Sequence, residues 1–307
     1  ESSLLDTPHV ASRIGIKVRG QSSSGDTKTP YRVETRDQHD RDLDVAPLGL
    51  PAESDWVLHG PWSDRTLVHN TISYELGSEV GLVTPRTRYV ELFRNLNGGA
   101  IKENDYLGLY LLVENIKRSP NRLDIPDLDP GQLDPEDITG GYILRFEQEV
   151  SEAPDRLSRW RHLELLDGQK YSPEQKAWIT QYINRTDLAI TRANVNRDFE
   201  QFIDVDSFVN SLVMHELGRD QDAYVRSYYL YKDRGGKLVA GPLWDFNLIW
   251  NRGCCFDNRN PRGWQFDQDR PGRNDGWNKG QHNWNGQLME SWDFSQRFID
   301  RWTHLRQ

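Results

Sequence analysis

The first half of the chain alternates apolar and polar residues in short runs, which is the pattern of β-strands. The runs are RIGIKVRG (13–20), PYRVET (30–35), RYVELF (88–93), YLGLYLLVE (106–114) and GGYILRFE (140–147). One stretch has another period: within 63–81, four apolar residues recur at helical spacing after a Ser/Asp cap. We therefore predict several strands and one helix in this half.

After residue 147 the pattern becomes mainly helical. Ser172, Pro173 and Gln175 form a helix start with a capping box, and a second helix is predicted over 206–217. Three further elements are predicted after this helix. They are a β-hairpin of SYYLYKD and LVAGPLW joined by RGGK, a long ordered loop over 258–287, and a helix starting near Asp293. This change of period predicts a strand-rich lobe over 1–148 and a larger helical lobe over 149–307.

The composition is that of a globular chain with an acidic balance. Its 307 residues are 36% hydrophobic and 11% aromatic, enough for a sizeable core, and the net charge is -9. That charge disfavours nucleic acid as a partner, and since no run of about 18 apolar residues occurs we expect a soluble chain without a transmembrane segment. The only cysteines, Cys254 and Cys255, are adjacent, so they predict two free thiols or a vicinal disulfide and leave the compartment open.

Two aspartates lie at the ends of the predicted hairpin. Asp222 precedes it, and Asp245 follows it within GPLWDFN, between two aromatic residues. Because a hairpin folds back on itself, the two carboxylates can converge on one cavity. Converging acids suit phosphoryl transfer with a metal ion and also glycoside hydrolysis, and a structural role for both remains open.

Five stretches resemble the CotH kinase family, the spore-coat-protein-H group of secreted atypical protein kinases. They are KVRGQSSSGDTKTPYRVE (17–34), DWVLHGPWSDRTLVHNTISYEL (55–76), YVELF with YLGLYLLVENIKR (89–118), RDQDAYVRSYYLYKDRGGKLVAGPLWDFN (219–247) and RFIDRWTHLR (297–306). The resemblance implies an α+β, two-lobed protein-kinase-like fold with a nucleotide cleft between the lobes, and ATP with Mg²⁺ or Mn²⁺ as cofactors. Asp222 stands at the position of the family's catalytic-loop aspartate, and Asp245 at that of its metal-binding aspartate.

The resemblance also nominates residues of the first lobe. The loop RGQSSSGDTK corresponds to the family's phosphate-covering loop, so Arg19, Ser22 and Ser23 are candidates to contact phosphate. Lys28 stands at the lysine before PY and is the candidate to pair with the nucleotide phosphates. Glu114 matches a family glutamate near the lobe junction, where it would orient the lysine or approach the nucleotide.

Three positions depart from the family pattern. Ser227 replaces an asparagine that holds a second metal in ordinary protein kinases, and Asn247 stands where many relatives have a second aspartate. Asn247 remains a candidate metal ligand, but both changes predict weaker metal binding or one ion instead of two. His69 replaces an arginine of the first-lobe helix. These departures leave the fold expectation unchanged and put the activity in question.

The leading expectation is transfer of the γ-phosphoryl group of ATP to Ser or Thr hydroxyls of extracellular or surface proteins. Bacterial origin and a secreted or cell-surface location come from the resemblance alone. The first alternative is a weakly active or inactive module that binds a glycan, a cell-surface component or a partner protein through Trp264, Trp277, Trp284 and Trp292. A less favoured alternative is transfer of the AMP group, with ATP bound in reverse.

Overall fold

The chain is a mixed α and β protein whose sheets are antiparallel. The computed structural model describes residues 6–20, 23–147, 162–220, 222–223, 226–250, 261–266 and 284–307. It divides into two compact units, of which the first comprises Glu1–Leu67 with Pro85–Arg122 and the second Val68–Thr84 with Leu123–Gln307. Each unit has a sheet and a hydrophobic cluster of its own.

The first unit contains a five-stranded sheet in the order β1-β2-β3-β5-β4, with every neighbouring pair antiparallel. The strands are β1 (Arg13–Val18), β2 (Tyr31–Arg36), β3 (Asp55–His59), β4 (Thr87–Phe93) and β5 (Tyr106–Glu114). Its buried cluster consists of Tyr31, Val33, Leu50, Trp56 and Tyr110. Side chains from alternate positions of β2 reach this cluster, as the period of two requires.

The second unit combines a four-stranded sheet with the helices of the chain. The strands, in the spatial order β7-β6-β8-β9, are β6 (Tyr142–Phe146), β7 (Leu163–Leu165), β8 (Tyr228–Lys232) and β9 (Leu238–Ala240). The helices are α1 (His69–Glu79), α2 (Pro173–Thr191), α3 (Val205–Gly218), α4 (Trp284–Leu288) and α5 (Trp292–Leu305). Ten residues of α3 are buried, so this helix runs through the core of the unit.

All five strand predictions from the first half are confirmed, and so are the hairpin and the capping box of α2. The predicted helix over 63–81 is wrong at its start, because α1 begins only at His69. Before it, the carboxylate of Asp64 accepts the backbone N–H of Thr66 at 2.9 Å, and Leu67 has φ 68°, which no helix allows. The strand predicted over 140–147 belongs to the sheet of the second unit, where β6 pairs with β8.

Two short strands and one short helix were not predicted. β3 has buried residues at its first three positions and therefore no alternation, β7 has only three residues, and α4 lies within the segment expected to be a loop. The lobes predicted over 1–148 and 149–307 differ from the observed units, since α1 and residues 123–147 fall in the second unit. A kinase-like arrangement of lobes stays a prediction.

The tryptophans proposed as a binding surface have different environments. Trp284 is buried and donates its indole N–H to Asp187 at 2.9 Å, so its proposed surface role is wrong. Trp264 packs edge-on against Phe298, whereas Trp292 is 74% exposed. Trp277, Cys254 and Cys255 lie outside the described residues. Over the described ranges, none of the helices is both long and apolar enough to cross a membrane.

Candidate active site

The site begins where α3 ends. Arg219 adopts a left-handed conformation with φ 51° immediately after Gly218, and the backbone N–H of Asp220 donates to the carbonyl oxygen of His215 at 2.9 Å. This cap stops the helix and turns the chain. Asp222 is thereby placed at the start of the connection from α3 to β8.

The β8–β9 hairpin then returns the chain to the same region. Leu230 pairs with Ala240, and beyond the last pair the N–H of Gly241 donates to the carbonyl oxygen of Tyr229 at 2.9 Å. Asp222 precedes β8, and Asp245 follows β9. Both acids therefore lie at the open end of the hairpin, as the sequence predicted.

Asp222 is buried, with 9% of its surface exposed. Its backbone N–H donates to Oδ1 of Asp220 at 3.1 Å, and its carbonyl oxygen accepts the N–H of Arg226 at 2.7 Å. The guanidinium Nε of Arg226 lies 3.5 Å from Oδ1 of Asp222, which forms a loose ion pair. Backbone bonds on both sides thus fix the backbone of Asp222, and Arg226 is the described side chain that faces its carboxylate.

Asp245 is half-buried and has a left-handed backbone, with φ 69° and ψ 45°. Aspartate tolerates this conformation better than most residues. Its backbone N–H donates to the hydroxyl oxygen of Tyr74 at 3.3 Å, and its Oδ2 accepts the hydroxyl of Ser227 at 3.1 Å. Ser227 also has a positive φ of 56°, so the chain is bent sharply on both sides of the hairpin.

The electrostatics of Asp222 are dominated by burial and by other acids. Burial, followed by the charges of Asp245 and Asp220, raises the pKa of Asp222 well above its usual value, and Glu147 adds to the rise. Arg226 opposes this shift without cancelling it. The charge of Asp245 therefore reaches Asp222, and the described side chains that act on Asp222 carry more negative than positive charge.

Four neighbouring residues were missed in the sequence, namely Tyr74, His215, Asp220 and Arg226. A signal existed for Asp220, because RDQD places one aspartate two residues before another, the spacing at which a carboxylate bonds the backbone N–H. No local signal could have identified Tyr74, which lies 171 positions from Asp245.

The residues nominated in the phosphate-covering loop belong to the first unit. Lys28 donates its ammonium to the carbonyl oxygen of Leu109 at 2.6 Å, and partial burial lowers its pKa. Arg19 donates its backbone N–H to the carbonyl oxygen of Pro30 at 3.0 Å, and Ser23 begins a short 3-10 turn. Ser22 lies outside the described residues. Their contacts with phosphate stay predictions.

Glu114 is buried at the end of β5 and bound by two arginines. Its carboxylate accepts the Nε of Arg86 at 2.8 Å and the Nη1 of Arg122 at 2.7 Å, and it also accepts the backbone N–H of Arg86 at 2.9 Å. These bonds give Glu114 a structural role in the first unit. Its approach to a lysine or a nucleotide stays a prediction.

Asn247 follows Asp245 by two residues and is in contact with His69. Asn247 is half-buried in the 3-10 turn Phe246–Leu248, and its carbonyl oxygen lies 3.4 Å from Nδ1 of His69. A carbonyl oxygen only accepts, so Nδ1 of His69 is the donor in this bond. The histidine therefore supports the turn that carries Asp245, and the metal-binding role of Asn247 stays a prediction.

The donor atoms of the site suit a hard divalent cation. Asp245 supplies carboxylate oxygens and Ser227 a hydroxyl oxygen, and the charge of Asp222 adds to the negative potential there, which suits Mg²⁺ or Mn²⁺ better than softer metals. Within the part of the chain that is described, no group of three or more His, Cys, Asp and Glu side chains is arranged around one ion. Such a site fits magnesium, which usually takes one or two protein carboxylates together with substrate phosphates.

Two carboxylates at the open end of a hairpin, with a hydroxyl oxygen beside one of them, are compatible with phosphoryl transfer. The family model described as CotH kinase protein matches residues 16–307. The chain therefore belongs to the CotH kinase family, which confirms the resemblance found in the sequence. Membership implies a kinase-like enzyme and, in general, ATP with a divalent metal. A comparison with curated proteins finds no match.

Proposed function

We propose that this protein transfers the γ-phosphoryl group of ATP to Ser or Thr hydroxyls of a protein substrate. The observation that carries the proposal is that Asp222, before β8, and Asp245, after β9, lie at the open end of one hairpin, where the charge of Asp245 raises the pKa of the buried Asp222. An uncompensated acidic pair is costly to bury unless a cation or a reacting group uses it. Family membership supports phosphoryl transfer over the hydrolysis of glycosides.

In the reaction, an oxygen–phosphorus bond forms between the acceptor hydroxyl and the γ-phosphorus. The bond between that phosphorus and the β–γ bridging oxygen breaks, and ADP leaves with the electron pair. Asp222 orients the acceptor hydroxyl and accepts its proton. A divalent cation, when bound, supplies positive charge to the phosphates and to the acidic pair.

The neighbouring side chains prepare the two acids for these roles. Ser227 donates to one oxygen of Asp245 and leaves the other oxygen of that carboxylate for a cation. Arg226 faces Asp222 at 3.5 Å, so it limits the rise in the pKa of the proton acceptor. Phe246 is fully buried next to Asp245 and excludes water from that side.

The remaining parts of the proposal come from the family. They are a two-lobed kinase-like arrangement, phosphate contacts from Lys28, Arg19, Ser22 and Ser23, and a metal contact from Asn247. A secreted or cell-surface location in a bacterium, with an extracellular or surface protein as acceptor, is proposed on the same basis.

The test uses ATP labelled at either the γ- or the α-phosphate, with Mg²⁺ or Mn²⁺ and a generic mixture of acceptor proteins. We expect γ-label on protein, loss of that label in Asp222→Ala and Asp245→Ala, and retention in Asp233→Ala, which changes an aspartate at the turn of the same hairpin. Transfer of α-label instead would identify AMP transfer. If the wild-type chain neither transfers label nor binds ATP with any divalent ion, the proposal fails and a binding module is the better account.

A further inference from the structure

A histidine–aspartate pair that has no role in the proposed chemistry lies next to the two acids. His215 is in the last turn of α3, Asp220 follows the helix, and both are buried, with 3% and 1% of their surfaces exposed. Nδ1 of His215 lies 2.9 Å from Oδ2 of Asp220. An ionised carboxylate only accepts, so the hydrogen of this bond belongs to the imidazole.

The second carboxylate oxygen of Asp220 holds Asp222. Oδ1 accepts the backbone N–H of Asp222 at 3.1 Å, which fixes the backbone two residues further along the chain. Because Oδ2 is held by His215, the carboxylate of Asp220 cannot rotate freely. The position of Asp222 therefore depends on a buried histidine seven residues earlier.

The imidazole ring of His215 also supports the other acid. It stacks on the ring of Phe246, with centroids 5.1 Å apart and an interplanar angle of 13°. Phe246 follows Asp245 directly and contacts the ring of Tyr74, whose hydroxyl accepts the N–H of Asp245. The imidazole ring of His215 thus packs against the turn that carries Asp245.

We propose that His215 and Asp220 form a positioning pair that sets the relative placement of Asp222 and Asp245. The inference rests on the proposed function, in which the two acids act on one phosphoryl group. Reacting groups must be held within about 0.5 Å of their productive geometry, and a misplacement of about 1 Å can lower a rate about 10²-fold. Burying a His–Asp pair at the end of a core helix is costly, and positioning explains why this polar pair stands there.

The bond of His215 to Asp220 and its stacking on Phe246 can be tested separately by substitution. His215→Phe keeps a ring to stack on Phe246 and removes the bond to Asp220, whereas His215→Asn keeps an amide donor and removes most of the ring. Asp220→Ala removes both bonds of the carboxylate, and Asp220→Asn keeps the acceptor for the N–H of Asp222. Val213→Ala, a buried apolar change on the same helix, is the matched control for lost stability.

We expect His215→Phe and Asp220→Ala to lower kcat roughly 10²-fold while the dissociation constant for Mn²⁺·ATP stays within about twofold. His215→Asn should mainly weaken Mn²⁺·ATP binding, because it loosens the turn of Asp245. Asp220→Asn should restore most of the kcat lost in Asp220→Ala. Activities are compared with Val213→Ala at matched loss of melting temperature.

Crystal structures of the wild-type chain and of Asp220→Ala give a readout that does not need activity. The carboxylate of Asp222 should move by about 1 Å or more. The positioning proposal is overturned if that carboxylate stays within about 0.5 Å, or if His215→Phe and Asp220→Ala lose no more kcat than Val213→Ala. A wild-type chain that neither binds ATP nor transfers phosphate overturns the proposed function instead, and the displacement in Asp220→Ala still decides the positioning role.

Discussion

Glu114, in the first unit, and Asp222, in the second, are both buried acids singled out in the sequence, and their surroundings are opposite in charge. Glu114 accepts bonds from Arg86 and Arg122 at 2.7–2.8 Å. Asp222 has one arginine at 3.5 Å and is repelled by Asp245 and Asp220. Among the residues that the structure describes, the first carboxylate is neutralised by two arginines, and the second meets more acids than bases.

This difference separates a structural acid from a functional one. A buried carboxylate with two arginine partners has its charge compensated within the fold, so removing it leaves a buried cation without its partner and destabilises the fold. A buried carboxylate among other acids is compensated only when something else binds. Substitutions can test whether Asp222 and Asp245 are functional acids and Glu114 a structural one.

The largest effect is expected for Asp245→Ala. It removes the carboxylate that Ser227 orients, and with it the main protein charge facing a bound cation, so metal-dependent ATP binding and phosphoryl transfer should be lost together. Calorimetric titration with Mn²⁺·ATP and label transfer measure the two effects. Retained binding in Asp245→Ala, with Asp233→Ala as the control, would show that this acid is not the metal ligand.

Asp222→Ala is expected to act on turnover alone. It removes the group that orients the hydroxyl and accepts its proton, so kcat should fall roughly 10²–10⁴-fold while ATP affinity persists. The same titration and transfer assay separates this result from that of Asp245→Ala. Equal losses of binding in both variants would contradict the separate roles of the two acids.

Glu114→Gln should lower the stability of the protein and leave its turnover unchanged, in contrast to Asp222→Ala. The substitution removes the carboxylate that pairs directly with Arg122, whose side chain is 3% exposed, and breaking a buried ion pair costs about 3–5 kcal/mol. We expect a loss of that order in the free energy of unfolding, measured in denaturant, with kcat unchanged per folded molecule. Glu200→Gln is the matched control, because its partner Arg197 is 52% exposed and the pair should contribute under about 1 kcal/mol. A fall in kcat without a loss of stability would support the nucleotide role predicted for Glu114.

The comparison also explains what the sequence could predict. Strands with a clear period of two, such as β2 and β5, and the capped helix α2 were predicted because their signals are local. The convergence of Asp222 and Asp245 was predicted because a hairpin brings its ends together, and the family resemblance gave the two acids their roles, which stay predictions. In contrast, β3 lacks alternation because both of its faces are covered at the start of the strand.

The partners of the acids could not be predicted for a physical reason. The bonds of Glu114 to Arg86, and of Asp245 to Tyr74, join residues 28 and 171 positions apart. Sequence period gives the face on which a residue lies, but not which distant side chain meets it. Whether a buried acid is neutralised was therefore visible only in the structure.

Asp222→Asn should stabilise the metal-free protein at neutral pH. The pKa of Asp222 is raised in the folded chain above its value in the unfolded chain, so the folded state prefers the protonated carboxyl. The stability from this group is present below the unfolded value near 3.8 and is lost as pH rises toward the folded value. Asparagine cannot ionise, so the melting temperature in a chelator should be higher than that of the wild type at pH 7 by a few degrees, and the gain should shrink toward pH 4. A rise in melting temperature that does not depend on pH would contradict the ionisation of Asp222 as its cause.

The smallest effect is expected for Asn247→Asp, which adds a carboxylate to the turn after Asp245. The described groups around Asp222 are mainly acidic, so without a cation an added carboxylate should increase the repulsion. With a cation bound, the same carboxylate should act as an additional oxygen ligand. We expect metal-dependent ATP binding to tighten several-fold and the melting temperature of the metal-free protein to fall. Asn194→Asp, on an exposed loop after α2, changes the net charge equally and should do neither. If Asn247→Asp leaves ATP binding unchanged and lowers the melting temperature with and without metal alike, then the turn carrying Asn247 does not face the cation, and only Asp245 remains as its ligand there.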